Sequence, residues 1–299
     1  MNMTKKIFLR RVLMVMGIAV TCGGAVWLAA LVKTNRDTVE RGAQVLADIR
    51  SSRAIFNDSD RLLQVGLLDS EDSEAATETL IPLLDRDSRI EWQHVSAVAI
   101  GNGILQKFDV LIVPGGNGRL KSKDLGDSGR TMVRDFVNHG GGYVGICGGA
   151  FLATCGYDWS LSLVDAAALT GTIECGQEGQ RSLAARGSGV VSIEFSGSAE
   201  VIFSRSVSYE PMQYSGGPIF RRQNRSDLSP FVVLGWFRTE VYVCSLQRGT
   251  MVNTPAIIAS KFGEGKVVLF SPHPEMTPGT ESLVTDAVHS VVPAHFGSR

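Results

Sequence analysis

The sequence carries almost no net charge: 29 basic and 30 acidic side chains leave −1 over 299 residues. That balance excludes the broad basic field of a nucleic-acid binder, so no nucleic-acid partner is expected. Metal-ligand spacing is missing too. His94, His139, His289 and His295 are dispersed, and no metal or other cofactor is expected. The five cysteines lack the regular intervals of a disulfide scaffold or a zinc site. Gly115 to Gly118 has neither the Gly-x-Gly-x-x-Gly spacing of a dinucleotide loop nor the Lys-Ser/Thr of a phosphate loop. There is no internal repeat and no low-complexity tract.

What is present suits a globular protein with a substantial core, 44% hydrophobic and 20% charged. One long apolar run, Val12 to Val32, follows Lys5, Lys6, Arg10 and Arg11. It is long enough to contact or span a membrane through residues 12–32. Its positive flank predicts a cytoplasmic N-terminus and a body outside the cytoplasm. A cleaved signal peptide is the alternative, with Val12 to Val20 as its apolar core and Gly23-Gly24-Ala25 as the cleavage site. The body is therefore expected as a single-pass membrane protein or as a secreted or periplasmic one. Residues 1–34 are read as anchor or signal, 35–52 as linker, and 53–299 as one domain. If Cys147 stays a thiol, at most one disulfide forms among Cys155, Cys175 and Cys244. Cys175 with Cys244 is one option, and sequence does not set the pairing.

From residue 53 short apolar runs alternate with amphipathic segments. Arg53 to Asn57, Ile90 to Val98, Asp109 to Val113 and Tyr143 to Ile146 are expected strands. Ala75 to Asp85 and Thr131 to His139 have helical spacing, with Pro82 expected to kink or end the first. Gly140 to Gly142 closes the second as a C-cap. Continuous apolar strands between helices predict a mainly parallel sheet covered on both faces. Residues 188–245 read differently. Val190 to Phe195, Glu200 to Phe203, Phe231 to Trp236 and Val241 to Cys244 predict an antiparallel elaboration. Ala256 to Ser260 and Lys266 to Phe270 flank Gly263 to Gly265 as a hairpin, and Glu281 to Val292 reads as a closing helix.

Three stretches carry chemistry. In Gly145-Ile-Cys-Gly-Gly149 a thiol sits where a buried strand turns into a helix. Flanking glycines remove the side chains that would clash in so sharp a bend. The helix start favours negative charge and offers backbone N–H groups to an oxyanion. The bland alternative is a buried cysteine in a glycine-rich turn. Val113-Pro-Gly-Gly-Asn-Gly118 ends another strand in a loop that can present the amides of Gly115 and Gly116, beside Gly148, to an oxyanion. Phe270-Ser-Pro-His-Pro-Glu275 places an imidazole and a carboxylate two residues apart. A thiol nucleophile needs a base, and the base needs an orienting acceptor.

Taken in chain order, Val-Pro-Gly-Gly, Gly-Ile-Cys-Gly-Gly-Ala and Ser-Pro-His-Pro-Glu resemble the class I glutamine amidotransferase-like superfamily. Tyr214-Ser-Gly-Gly-Pro-Ile-Phe220 with Phe-Ser-Pro-His-Pro-Glu is similar to the N-terminal domain of biotin-protein ligases and its stand-alone bacterial relatives. The resemblance covers roughly residues 52–296 and implies a flavodoxin-like α/β fold. It implies Cys147 as nucleophile, His273 as base and Glu275 as orienter. Tyr214 to Phe220 either lines the substrate pocket, its Gly-Gly step allowing close backbone approach to a ligand, or is merely a turn. Glutaminase members carry Gly-x-Cys-x-Gly-x-Gln, and here Phe151 stands in the glutamine's place. The resemblance implies no ligase activity, because no ligase catalytic motif accompanies it. Two functions follow as expectations. One is a cysteine-dependent hydrolase or amidotransferase-like protein acting on a small-molecule or peptide amide. The other is a non-catalytic binding or scaffold module. A cysteine peptidase of the intracellular-protease type ranks last, because no histidine follows Cys147 closely.

Overall fold

A computed structural model of the chain describes residues 36–175, 179–183 and 186–296. The chain divides into a unit ending at Ala43, in which residues 36–43 are helical, and a larger unit, Gln44–Arg299. The apolar run at 12–32 lies outside the described residues. Among the described residues, no helix is long and apolar enough to cross a membrane.

The larger unit opens with helix α1 over residues 44–58. Its strands are β1 (Leu63–Leu68), β2 (Ile90–Val95), β3 (Val110–Val113), β4 (Gly142–Ile146), β5 (Ala166–Ala168), β6 (Thr172–Glu174), β7 (Gln180–Ser182), β8 (Ser188–Phe195), β9 (Tyr209–Ser215), β10 (Phe220–Arg222), β11 (Val232–Phe237), β12 (Pro255–Phe262) and β13 (Gly265–Phe270). Its further helices are α2 (Glu74–Arg86), α3 (Ala97–Gly101), α4 (Gly118–Asn138), α5 (Gly148–Ala153), α6 (Glu200–Phe203) and α7 (Ser282–Ser290). One sheet runs β2-β1-β3-β4-β13-β12-β11-β8-β9. The pairs from β2 to β13 are parallel, and those from β13 to β9 are antiparallel. The parallel half has the flavodoxin-like strand order; the antiparallel half adds β12, the partner of β13 in the expected hairpin, and β11, β8 and β9 from the elaboration expected within residues 188–245.

Burial on both faces explains the continuous apolar strands. In β3, Val110 and Ile112 join one core with Leu80 and Leu84 of α2 and Val284 and Val288 of α7. Leu111 and Val113 join the other, with Leu125, Val133 and Val137 of α4. Alternate residues of one strand therefore fill opposite layers, which only a doubly covered strand allows.

Several local expectations are corrected. Arg53 to Asn57 is helix, not strand. Val45, Ile49 and Phe56 are buried, so the run at 53–57 continues a 3.6-residue period begun upstream. Residues 44–52 belong to that same packed helix. Pro82 lies inside α2 without ending it. Thr131 to His139 is only the last part of α4, which starts at Gly118 and breaks at Gly126 (φ 61°). Glu200 to Phe203 is helical: Ser196 accepts from the Ser198 amide and turns the chain into a helical start. Val241 to Cys244 is no strand, because the amides of Val243 and Cys244 donate to the Gln247 side chain instead of to a ladder. Cys175 and Cys244 are bridged, and Cys147 and Cys155 are free thiols.

Candidate active site

Three adjacent strands release three loops at one edge. Register sets them level: Val113 faces Gly145 across β3 and β4, and Ile146 faces Phe270 across β4 and β13. The Gly115–Gly116 turn, Cys147 and the 271–275 loop thus leave the carboxyl ends of neighbouring parallel strands, where α/β sheets place their ligands.

Cys147 occupies the bend between β4 and α5 with φ 49° and ψ −102°, a conformation that costs a non-glycine residue of order 1–3 kcal/mol and persists only where surroundings enforce it. The enforcement is visible. The Cys147 amide donates to Phe270 O at 2.8 Å, and Cys147 O accepts from the Phe151 amide at 2.9 Å. Neighbouring backbones close in so far that side chains have no room. A Cβ on Gly148 would lie 2.0 Å from Gly116 O, and one on Gly149 equally close to Val113 O. Cys147 is 6% exposed, and its thiol donates to Ser215 O at 3.4 Å.

His273 enters from the far side of the edge. Its amide donates to Gln213 O at 2.7 Å, fixing the loop to β9. Thr277 fastens it further, with its hydroxyl donating to His273 O at 2.8 Å. The ring nitrogen Nδ1 lies 2.7 Å from Glu275 Oε1, and both side chains are buried. Nε2 is buried without a hydrogen-bond partner of standard geometry among the described residues. Burial pulls the imidazole pKa down, but Cys147 and Glu275 together outweigh it and lift the value to about 10. Gly115 packs on the ring: a Cβ there would stand 2.9 Å from His273 Cε1.

The four remaining sequence candidates fall around this pair. Gly116 has φ 107°, and a Cβ on it would meet Asp72 O at 2.5 Å and Lys121 Nζ at 2.8 Å. Gly115 O accepts from the Ser73 hydroxyl at 2.7 Å. Gly148 contacts Gly116 directly, as the clash above requires. Tyr214 is fully buried and donates to Gly217 O at 2.9 Å, so its hydroxyl secures the 214–217 turn. Burial pushes its phenol pKa up. Phe151, in the position of the superfamily's glutamine, is half-buried on α5.

Sequence reasoning missed Lys121, Asp72 and Ser73. Lys121 has no exposed side-chain surface; its ammonium donates to Asp72 Oδ1 at 2.7 Å and also to Ser73 Oγ. Asp72 accepts the Asn117 amide as well. Burial lowers the lysine pKa, while Asp72 and Cys147 act to raise it. The pair thus lies directly under the Gly115–Gly116 turn. Within Lys-Ser-Lys-Asp, Lys121 looks like any solvated lysine. The Asn117 cap was the available signal, since it starts a helix that turns position 121 inward.

The sheet thus carries a cysteine elbow and a His-x-Glu loop at its carboxyl edge, the architecture of an α/β domain with its candidate site at the strand ends. The chain belongs to the family described as biotin-protein ligase, N terminal, whose profile matches residues 74–292. Among solved structures it is similar to PurLQS from Thermotoga maritima, with 13% identity, a TM-score of 0.53, and coverage of 77% of this chain and 97% of that one. It is also similar to a cytoplasmic protein of Salmonella typhimurium, with 14% identity, a TM-score of 0.50, and coverage of 78% and 100%. At such identities these likenesses concern the fold. No curated protein sequence matches the chain.

Proposed function

We propose that the domain is a cysteine-dependent amide hydrolase whose triad is Cys147, His273 and Glu275. The observation that carries this reading is the orientation of His273. Its Nδ1 is held by Glu275 at 2.7 Å, its buried Nε2 has no partner of standard hydrogen-bond geometry among the described residues, and Cys147 is one of the groups that raise its pKa. In this reading the thiol proton passes to Nε2. Sulfur then bonds the carbonyl carbon, and the oxyanion is held by amides of the Gly115, Gly116 and Gly148 region. The C–N bond breaks as the imidazolium protonates the leaving amine. Water, deprotonated by His273, adds to the acyl-enzyme, and the carboxylate leaves as the thiol reforms. The substrate is a small-molecule or peptide amide.

A second reading, a non-catalytic binding module that keeps the elbow as architecture, is favoured by the 6% exposure of Cys147. Iodoacetamide labelling read by mass spectrometry separates the two. Cys155 is the internal reference, since burial pushes its thiol pKa up. At neutral pH, Cys147 should react faster than Cys155. His273→Ala should slow it on the order of tenfold or more, as removing a general base does, and Glu275→Gln should slow it less. Equal rates at Cys147 in all three proteins would leave only the binding module.

We further propose that the body lies outside the cytoplasm, anchored through residues 12–32 or released after cleavage. The basic residues before that run support this, and so does the Cys175–Cys244 bridge, since such bonds persist mainly in oxidising compartments.

A further inference from the structure

An open groove of about 570 Å³ adjoins the candidate site and is lined by Gly116, Asn117, Gly118, Arg119, Phe151, Tyr157 and Trp159. It begins at the glycine turn beneath the elbow. A Cβ on Gly118 would lie 2.7 Å from Gly148 O and 3.1 Å from Phe151 Cβ, so the groove floor touches the residue that follows Cys147. Its far wall is aromatic. Tyr157 and Trp159 stack with ring centroids 4.6 Å apart and planes 15° apart, and Phe151 stands 6.4 Å from Tyr157. All three rings are only partly buried. The wall is anchored, not loose: Ser122 on α4 donates to Trp159 O, and Ser160 Oγ donates to Tyr157 O at 2.7 Å.

One cation stands in this groove. Arg119 is exposed, and its guanidinium makes no ion pair or hydrogen bond among the described residues. Most other guanidiniums described here are engaged by carboxylates, carbonyls or ring faces. An aromatic platform beside an unengaged planar cation is complementary to a flat apolar group bearing one carboxylate. The ring gains stacking area, and the guanidinium fork matches a carboxylate in two-point geometry.

We propose that this groove is the subsite for an aromatic, carboxylate-bearing flank of the ligand, with Tyr157, Trp159 and Phe151 taking the ring and Arg119 the carboxylate. The superfamily's glutamine position is filled by Phe151, which widens the aromatic wall in place of an amide contact. The assignment of that ligand as a substrate rests on the amide-hydrolase reading above; the binding itself does not.

The probe is N-benzoylglycine, which joins a ring, an amide and a carboxylate. Its binding to the full-length protein is followed by ligand-observed NMR titration, beside its neutral carboxamide and N-acetylglycine. Wild type and Cys147→Ser should bind N-benzoylglycine alike. The carboxamide should bind about tenfold more weakly, the loss of one charge-assisted contact, and N-acetylglycine should not bind measurably. Arg119→Gln, at an exposed position, should remove the preference for the acid over the carboxamide. Tyr157→Leu should weaken both benzoyl probes together. No saturable binding of N-benzoylglycine to wild type and Cys147→Ser, or an unchanged acid preference in Arg119→Gln, overturns the proposal. Binding that behaves as expected while Cys147 labelling ignores His273 would retain the subsite and reject the hydrolase.

Discussion

At the scale of single residues, the site is a set of close approaches that only particular side chains permit. His273 needs Gly115 beneath its ring, Glu275 at Nδ1 and Thr277 under its carbonyl. Its raised pKa has a consequence for stability. The unfolded-state value is about 6.5, and the folded value is about 10. A histidine raised in this way stabilises the fold fully below the lower value, and that contribution disappears as pH climbs through the higher one. The stability gap between wild type and His273→Gln should therefore narrow from pH 6.5 to 10, by a few kcal/mol at most on the order of this linkage. Urea midpoints measured across that window check it, and a gap that stays level or widens rejects the assignment. In Cys147→Ser the narrowing should be smaller and complete at a lower pH, because one of the groups that lifts the folded-state imidazole is gone.

At the scale of elements, the first turns of α4 decide the floor of the site. Asn117 caps them by accepting from the Arg119 and Leu120 amides. Position 121 is thereby turned inward, against Asp72 from the loop after β1. Burial alone would raise the Asp72 carboxyl, but Lys121, Ser70 and the Asn117 amide more than offset it and hold the carboxyl below its usual value. Asp72→Asn would leave a buried ammonium without a counter-charge, and breaking such a pair typically costs about 3–5 kcal/mol. Asp72→Asn combined with Lys121→Met should cost less than Asp72→Asn alone, since no charge is then stranded. Denaturant unfolding of wild type, the two single variants and the double variant closes the cycle. Simple additivity would mean that the pair does not act as a unit. The same element shows why its start escaped the sequence: Thr131 to His139 has a clear apolar period, but Gly126 interrupts the pattern before it and hides the turn bearing Lys121.

At the scale of the whole molecule, two cores clasp one sheet, and the candidate site lies on the sheet's carboxyl edge, where Cys147 and Tyr214 are themselves part of one core. The proposed export belongs to this scale too. A reporter that is active only outside the cytoplasm, fused after Arg299, should be active, and one active only in the cytoplasm should be silent. The reverse result would reject export. The exported body should carry Cys175 and Cys244 in blocked form. Their bridge spans a separation of 69 residues, a loop closure worth about 4 kcal/mol in the chain-entropy account.

The sequence by itself determined the central strands and the identity of the elbow. Val110 to Val113, Tyr143 to Ile146 and Lys266 to Phe270 are continuously apolar or shielded, a pattern that serves only a strand covered on both faces. The glycines around Cys147 marked the bend in sequence, although what forbids side chains at Gly148 and Gly149 is the approach of Gly116 and Val113 from the neighbouring strand and the turn after it. Only the tertiary structure decided the rest. Arg53 to Asn57, Glu200 to Phe203 and Val241 to Cys244 are short apolar runs whose composition suits helix, strand or loop equally. Their state is set by partners far along the chain: the core packing of Phe56, the Ser196 cap, and the grip of Gln247 and Cys175 on Cys244. The burial of Lys121, and the meeting of Arg119 with Tyr157 and Trp159, were illegible for the same reason. The Asn117 cap marks where the helix begins, but the surface that closes over Lys121 or lies beside Arg119 comes from residues far along the chain.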